Sequence, residues 1–373
     1  MMMKNKVIKA LYIHIPFCEH ICDYCDFPKL QYFRNFATNY LSSLKTELES
    51  YHIDKENIET IYVGGGTPTS LEDDLFLELL KIIKPYSHHV KEYTFEANPE
   101  SLSLEKLKMM NEYKVNRLSI GVESTDDKVL KAINRHHTFK DVQIAVLNAR
   151  KIGFDNINVD LIIGLPHVSK ALLEKDLDNV LSLSTEHISC YSLTVHPNTM
   201  FGIKKIDEPS GDDAREFYDL VEDKLLKNGF IHYEISNWCK KGKESLHNFT
   251  YWKDEEYYGI GLGASGFVNG VRYTNTKSIQ KYIEGNFLKE KEMVNKEDDI
   301  EYFIMLNLRT NRGIIFQEFE DRFNISFKEK YQRSIDKMVD EGLLMLDKKK
   351  SRIYPTYNGM MILDQIILEF IGE

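Results

Sequence analysis

The sequence predicts an α/β fold, on the basis of a repeating strand–helix pattern and the composition. Strand-like apolar runs alternate with amphipathic helical patterns through the first two thirds of the 373-residue chain. Nearly continuous β-branched runs between such helices are typical of parallel strands that are buried on both faces. With 42% hydrophobic residues, the chain can bury one large core and a second, smaller one. We therefore expect a parallel α/β domain followed by a small C-terminal domain.

Six strand–helix units follow one another. The predicted strands are Ala10–Pro16, Glu59–Gly64, Glu92–Ala97, Arg117–Val122, Ile157–Gly164 and His187–Val195. The predicted helices are Phe36–Ser50, Leu71–Lys84, Leu104–Glu112, Asp127–Arg135, Phe139–Ile152 and Leu172–Ser182. Six units in series indicate a partial (β/α)6 barrel, although a doubly wound sheet has the same local pattern.

The remaining third has a different pattern. A helical pattern at Asp212–Asn228 leads into a stretch rich in aromatic residues and glycine, and short helices with a basic-tipped hairpin follow. They predict a small, mainly helical, winged-helix-like domain, which we interpret as a packing domain because the chain is acidic. The predicted parts are residues 1–235 for the barrel, 236–297 for a connecting region and 298–373 for the C-terminal domain.

Charge and composition exclude several classes of protein. The net charge of −10, without a long basic block, argues against nucleic-acid binding by phosphate neutralisation. Five cysteines are too few, and odd in number, for a secreted disulfide framework. No stretch approaches the ~20 apolar residues that span a bilayer, and the apolar run Val7–Phe17, which follows Met1–Lys6, is typical of a strand and not of a signal peptide. We expect a cytoplasmic protein with no integral membrane segment.

Three cysteines, Cys18, Cys22 and Cys25, lie within eight residues directly after the first predicted strand. Thiolates at this spacing can bind one side of an iron–sulfur cubane and leave its fourth iron without a protein ligand. A zinc ion is the alternative, although a structural zinc site usually draws its cysteines in two pairs and no second pair exists here. The side chains available to complete a zinc site are His14, His20 and Asp26.

The three cysteines, with Tyr24 before the last of them, resemble the signature of the radical S-adenosylmethionine (SAM) superfamily. The string from Tyr12 to Cys18 is similar to the branch that contains oxygen-independent coproporphyrinogen III oxidases and HemW-type haem chaperones. The resemblance covers essentially the whole chain. It implies a radical-SAM barrel, a [4Fe–4S] cluster on the three cysteines, and SAM at the open iron, where one electron from the cluster would release a 5′-deoxyadenosyl radical.

A glycine-rich loop, Gly64–Pro68, follows the second predicted strand. Glycines at this position allow the backbone to approach a ligand closely, although any tight strand-to-helix turn has the same appearance. The resemblance implies that Gly65, Gly66 and Thr67 bind the methionine end of SAM, and that Tyr12 lies beside the cluster and SAM.

Two carboxylates, Glu96 and Asp160, lie inside apolar strands. A buried carboxylate is costly unless it is paired or hydrogen-bonded, and an internal salt bridge with Arg117 or Arg135 is one explanation. The resemblance implies instead that both carboxylates contact SAM and that Arg135 pairs with the SAM carboxylate. Glu123 departs from the family, which commonly has glutamine there; Glu123 is an acceptor only when ionised, so its SAM contact would differ.

Three features separate the oxidases from the HemW-type chaperones within this branch. Oxidases of the branch carry a fourth cysteine where this chain has Phe27, and they have a long extension where this chain has seventeen residues before Cys18. The string His247-Asn-Phe-Thr-Tyr-Trp matches the His-Asn-x-x-Tyr-Trp motif of HemW-type proteins, which implies that His247 ligates haem. Alternatively, the two aromatics are core anchors and His247 is a hydrogen-bonded loop residue. Ser265 stands where many relatives have histidine.

The resemblance therefore implies a haem chaperone that binds haem, one [4Fe–4S] cluster and SAM, and delivers haem to an acceptor protein. The alternatives are an anaerobic coproporphyrinogen III oxidase, a radical-SAM methyltransferase, and a zinc-stabilised protein without radical chemistry. Radical enzyme activity is left open, and coproporphyrinogen oxidation is not expected. The expected partners are haem, a haem-acceptor protein and an electron donor such as a flavodoxin or ferredoxin, with no nucleic acid; a homodimer and the identity of the acceptor are left open.

Overall fold

The structure, a computed structural model, describes residues 7–372. Residues 1–6, which enter the argument against a signal peptide, lie outside the described residues. The chain forms two compact units. The first comprises 7–231, Trp238–His247 and Glu256–Glu292, and the second comprises His232–Asn237, Asn248–Glu255 and 293–372. Because short segments of the predicted connecting region are divided between the two units, the three-part division of the sequence stays a prediction.

The first unit is built on a parallel sheet. Its strands up to residue 192 are β1 (Ala10–Ile15), β2 (Phe17–Cys18), β3 (Leu30–Gln31), β4 (Thr60–Gly65), β5 (Glu92–Ala97), β6 (Arg117–Glu123), β7 (Ile157–Ile163) and β8 (His187–Ser192). The six long strands are neighbours in chain order, β1-β4-β5-β6-β7-β8, and every pair is parallel. A doubly wound sheet would reverse its order at a switch point, so the uninterrupted order confirms the predicted partial barrel.

Helices connect these strands. They are α1 (Arg34–Ser50), α2 (Asp73–Ile83), α3 (Leu104–Glu112), α4 (Asp127–Ala132), α5 (Phe139–Ile152), α6 (Lys170–Ser182), α7 (Met200–Lys204) and α8 (Gly211–Lys227). Local sequence signals set their ends. At α5, Thr138 and Asp141 form a reciprocal capping box, and Gly153 ends the helix at a positive φ of 110°.

Further strands and helices follow α8. They are β9 (Ile231–Glu234), β10 (Asn237–Cys239), α9 (Leu246–Trp252), β11 (Tyr257–Ile260), β12 (Ser265–Val268), β13 (Val271–Asn275), α10 (Ile279–Ile283) and β14 (Leu288–Met293). Strand β11 pairs with β1 in parallel, and β12, β13 and β14 continue the sheet beyond it. The barrel sheet is therefore extended on the side of its first strand.

The second unit holds the C-terminal elements. They are α11 (Lys296–Asn307), β15 (Ile314–Ile315), α12 (Phe316–Phe323), α13 (Phe327–Lys330), α14 (Gln332–Asp340), β16 (Leu344–Asp347), β17 (Arg352–Pro355), α15 (Tyr357–Met361) and α16 (Leu363–Ile371). The helices pack on an aromatic core with a small antiparallel sheet, β15-β17-β16. Tyr331, whose buried ring packs against Phe327 and Phe370, lies at the break between α13 and α14. Within residues 7–372, no helix is both long enough and apolar enough to cross a membrane.

Candidate functional site

A cavity of about 410 Å³ opens in the first unit, where the parallel strands end. The carboxyl ends of the strands in such barrels meet at one face, and ligands bind there. Every predicted cluster and SAM residue except Tyr12 lines this cavity. These residues are Cys18, Cys22, Cys25, Gly65, Gly66, Thr67, Glu96, Glu123, Arg135 and Asp160.

The three thiols lie on and after β2. The Thr67 hydroxyl lies 3.8 Å from Cys18 Sγ, and an Arg135 guanidinium nitrogen lies 3.7 Å from Cys22 Sγ, so both groups can donate to sulfur. Burial raises the pKa of Cys18 to about 12 and also raises the pKa of Cys25. Since metal ligation requires thiolates, assembly of a metal centre here must release protons.

The donor set fits an iron–sulfur cluster better than a zinc ion. His14 has both ring nitrogens engaged, Nδ1 with the Tyr12 hydroxyl at 2.9 Å and Nε2 with the Pro28 carbonyl at 2.7 Å. Asp26 lies 3.2 Å from His196. Across residues 7–372, no group of three or more His, Cys, Asp or Glu side chains is placed to hold a metal ion. A cubane needs no such convergence, because each thiolate binds a different iron.

The glycine loop forms a tightly confined wall of the cavity. Gly65 N–H donates to Glu96 Oε2 at 2.9 Å, which ties the loop to β5. A Cβ on Gly66 would lie 2.8 Å from the Phe17 carbonyl oxygen, and one on Gly64 would lie 2.5 Å from Glu96 Cδ. These positions have room only for glycine. Because glycine has no side chain, a ligand in the cavity can approach the backbone polar groups of the loop closely.

Replacing Gly66 with alanine should therefore destabilise both the fold and the cavity. The new Cβ meets backbone atoms of Ile15, Pro16 and Phe17, which cannot rotate away, so we expect a loss of about 1–3 kcal/mol in the free energy of unfolding. Urea unfolding measures this change. Gly211→Ala is the matched control, because nothing lies within 4 Å of a Cβ at that position. Equal stability of the two variants would contradict the prediction.

Hydroxyl and amide groups hold the two strand carboxylates. The Tyr62 hydroxyl donates to Glu96 Oε1 at 2.7 Å, and Ser119 and Asn158 donate to Asp160 at 3.0 and 2.8 Å. Burial raises the pKa of Glu96 to about 7 and raises the pKa of Asp160. Both carboxylates line the cavity, so each can accept further hydrogen bonds from a polar or cationic ligand.

Arg135 lies between β6 and the cysteine loop, the segment 18–29 that carries the three thiols. Its guanidinium donates to the Gly121 carbonyl at 2.6 Å and to Asn98 Oδ1 at 3.0 Å, and lies 3.7 Å from Glu123 Oε1. Glu123 has a positive φ of 63° where the β6–β7 register shifts, which turns its chain out of the regular strand. Burial raises the pKa of Glu123 to about 7, although Arg135 opposes the shift. Pairing of Arg135 with the SAM carboxylate stays a prediction.

Other cavity residues are not predicted by the sequence motifs. Asn98 donates to Thr67 Oγ1 at 3.2 Å and accepts from Arg135, so it links the glycine loop to the guanidinium. Its position directly after β5, at a strand's carboxyl end, is the signal that identifies it. Further members of this group include Tyr62, Ser119, Tyr191 and His196. Tyr12 is not among the lining residues.

His247 is buried in the first unit. Its side chain is 0% exposed, its Nδ1 lies 3.0 Å from Thr60 Oγ1, and its ring centroid lies 5.4 Å from that of Tyr62. Its backbone N–H donates to Glu92 Oε1 at 3.0 Å. Burial lowers the pKa of His247 to about 3, so the imidazole is neutral. Haem ligation by His247 stays a prediction, and it would require the imidazole to leave this packing.

We expect His247→Ala to destabilise the protein by about 2–4 kcal/mol, because it leaves a buried cavity and removes the partner of Thr60. Chemical unfolding followed by circular dichroism measures the loss. His89→Ala is the control, since the His89 side chain is 56% exposed and forms an ion pair with the exposed Glu56. A His247→Ala variant as stable as the control would contradict the buried placement.

Comparisons with known proteins agree with this geometry. A family model described as Radical SAM superfamily matches residues 12–180, and one described as HemN C-terminal domain matches residues 294–362. The solved structure of coproporphyrinogen III oxidase (HemN) from Escherichia coli, a radical SAM enzyme, superposes with a TM-score of 0.84 at 22% identity. The match covers 98% of this chain and 90% of that chain, and at this identity it shows the fold alone. Fold, cavity and family model thus define the class, a radical SAM protein.

Curated relatives refine the class. "Heme chaperone HemW" of Bacillus subtilis (strain 168) is 37% identical over 381 residues, which cover 98% of this chain and 100% of that protein. "Heme chaperone HemW" of Lactococcus lactis subsp. lactis (strain IL1403) is 37% identical over 97% of both chains. The chain belongs to the HemW family of the radical SAM superfamily.

Proposed function

We propose that the protein binds haem and passes it to an acceptor protein, with a [4Fe–4S] cluster on Cys18, Cys22 and Cys25 and with SAM in the adjoining cavity. The observation that carries the proposal is that three thiols, a glycine loop and two buried carboxylates line one cavity, in a chain of the HemW family. The relatives carry the name heme chaperone, and their haem and acceptor come to this chain as part of the proposal.

The chain's own groups have separate tasks at this site. The cluster and SAM, when bound, supply one-electron chemistry. Arg135 places positive charge beside Cys22, which offsets the negative charge of ligating thiolates. Gly65 and Gly66 let the backbone reach the amino-acid end of SAM, while Glu96 and Asp160 accept hydrogen bonds from its polar groups. The surrounding strands exclude water from these contacts.

Three expectations complete the proposal. A flavodoxin or ferredoxin supplies electrons to the cluster, the protein works in the cytoplasm, and the acceptor is a haem protein. A homodimer stays an open prediction.

Haem titration of anaerobically purified, reconstituted protein tests the proposal. We expect a saturable Soret shift, followed by transfer of the bound haem to an added apo-haem protein. A protein that takes up no haem would contradict the chaperone function. Conversion of coproporphyrinogen III to protoporphyrinogen IX, assayed with a reductant and SAM, would establish the oxidase instead.

A further inference from the structure

A haem site with a histidine axial ligand needs an accessible imidazole and a flat apolar surface, and cations stabilise its propionates. His247 is buried and does not meet the first requirement. Two other histidines, His20 and His196, line the cavity beside the cysteine loop. The structure therefore offers accessible imidazoles at a place that the His-Asn-x-x-Tyr-Trp motif does not indicate.

The two cavity histidines differ in their surroundings. The His20 ring stacks on that of His136 with centroids 3.7 Å apart, so one face of its imidazole is covered. His196 has a side chain that is 47% exposed, and its Nε2 lies 3.2 Å from Asp26 Oδ2. A carboxylate on one ring nitrogen fixes the orientation of an imidazole, which leaves Nδ1 of His196 as the nitrogen for a metal. His196 is thus a better candidate than His20 for an axial haem ligand, because its ring is accessible and already oriented by Asp26.

Apolar surface lies next to His196. Phe27 directly follows Asp26, lines the cavity and is 62% exposed, which is unusual for a phenylalanine. Tyr191, at the end of β8, also lines the cavity and is 43% exposed. Exposed aromatic rings at a cavity mouth are typical of a binding surface.

A cation completes this rim. Lys29 lines the same cavity, and its ammonium donates to the Cys25 carbonyl and, at 3.4 Å, to the Phe27 carbonyl, which leaves a third N–H for a ligand. An ammonium beside an apolar surface suits a porphyrin that carries carboxylates on one edge. The interior of the cavity, with Glu96, Asp160 and the glycine loop, is polar and remains available to SAM.

We propose that haem binds at the mouth of this cavity with His196 as its axial ligand, its face against Phe27 and Tyr191, and a propionate on Lys29. The inference rests on the proposed haem binding and specifies its site. Haem held at a solvent-facing rim by one half-exposed imidazole can be reached by an acceptor without opening the barrel.

Ferric haem titration of the full chain with its cluster reconstituted tests the assignment. His196→Ala should weaken haem binding about tenfold or more and change the Soret and visible bands, and added imidazole should restore the wild-type spectrum. Phe27→Ala should weaken binding while keeping the wild-type bands, because the axial ligand is retained. His89→Ala is the matched control, since His89 is also a half-exposed histidine paired with a carboxylate. Equal iron content in all variants excludes loss of the cluster as the cause.

Two results would overturn the assignment. One is a His196→Ala variant with wild-type affinity and spectrum; the other is loss of the haem spectrum in His20→Ala or His247→Ala but not in His196→Ala. If the wild-type chain takes up no haem at all, the proposed function itself fails, which is a distinguishable outcome.

Discussion

Replacing Cys22 with serine is expected to lower the iron content of reconstituted protein from about four per chain to nearly none. With only two thiolates, two irons of the cubane have no protein ligand and the cluster does not assemble stably. Cys22 lines the cavity beside Arg135, so the variant removes a ligand without removing core packing. Iron and acid-labile sulfide analysis, with electron paramagnetic resonance of the dithionite-reduced protein, measure the change. Cys190→Ala is the control, since Cys190 is buried in β8 and does not line the cavity.

The same measurements test the zinc alternative. Wild-type protein with about one zinc per chain and no iron would rule out the cluster. A Cys22→Ser variant that keeps a full complement of iron would show that the ligand set is wrong. SAM should perturb the resonance signal of the wild-type cluster, and an unchanged signal would argue against SAM at the open iron.

Much of the barrel could be predicted from the sequence, for a physical reason. Parallel strands that are covered on both faces must be apolar along their length, and runs such as Ile157–Ile163 carry that signal locally. Strands β11 to β13 lie in a segment that has the composition of a loop. There the backbone is extended through pairing with β1 and through close approaches at glycine: Gly259 N–H donates to the Tyr273 hydroxyl at 2.9 Å. Such pairing depends on residues far apart in the chain.

The site was predictable where a motif coincides with a strand end. Cys18, Gly65 and Glu96 each lie at the carboxyl end of a parallel strand, so the topology brings them together. The burial of His247 was not predictable, because it depends on packing against Thr60 and Tyr62, which are more than 180 residues away in sequence. The exposure of the Phe27 ring at the mouth of the cavity likewise depends on how the cysteine loop folds.

Glu96→Gln is expected to weaken SAM binding about 10- to 100-fold, as loss of a hydrogen bond to a buried charged acceptor typically does. The two carboxylate oxygens accept separate hydrogen bonds, one from the Tyr62 hydroxyl and one from Gly65 N–H. Glutamine has only one accepting oxygen, because its other terminal group is an NH2 donor, so one of these bonds is lost. Equilibrium dialysis of the reconstituted protein with labelled SAM measures the affinity. Glu78→Gln, on the exposed face of α2, should bind SAM as the wild type does.

The pH dependence separates this role from a purely structural one. Burial raises the pKa of Glu96 to about 7, so folding favours the neutral carboxyl. The pKa in the unfolded chain is 4.5, so the stabilisation from the neutral form is complete below pH 4.5 and is lost as the pH rises through about 7. SAM is cationic at sulfur and nitrogen and favours the ionised carboxylate, so wild-type SAM affinity should rise as the pH passes through about 7. Glu96→Gln should remove the part of that rise due to Glu96, while the part due to Glu123, whose pKa is also raised to about 7, persists. An unchanged profile in Glu96→Gln would mean that Glu96 does not face bound SAM.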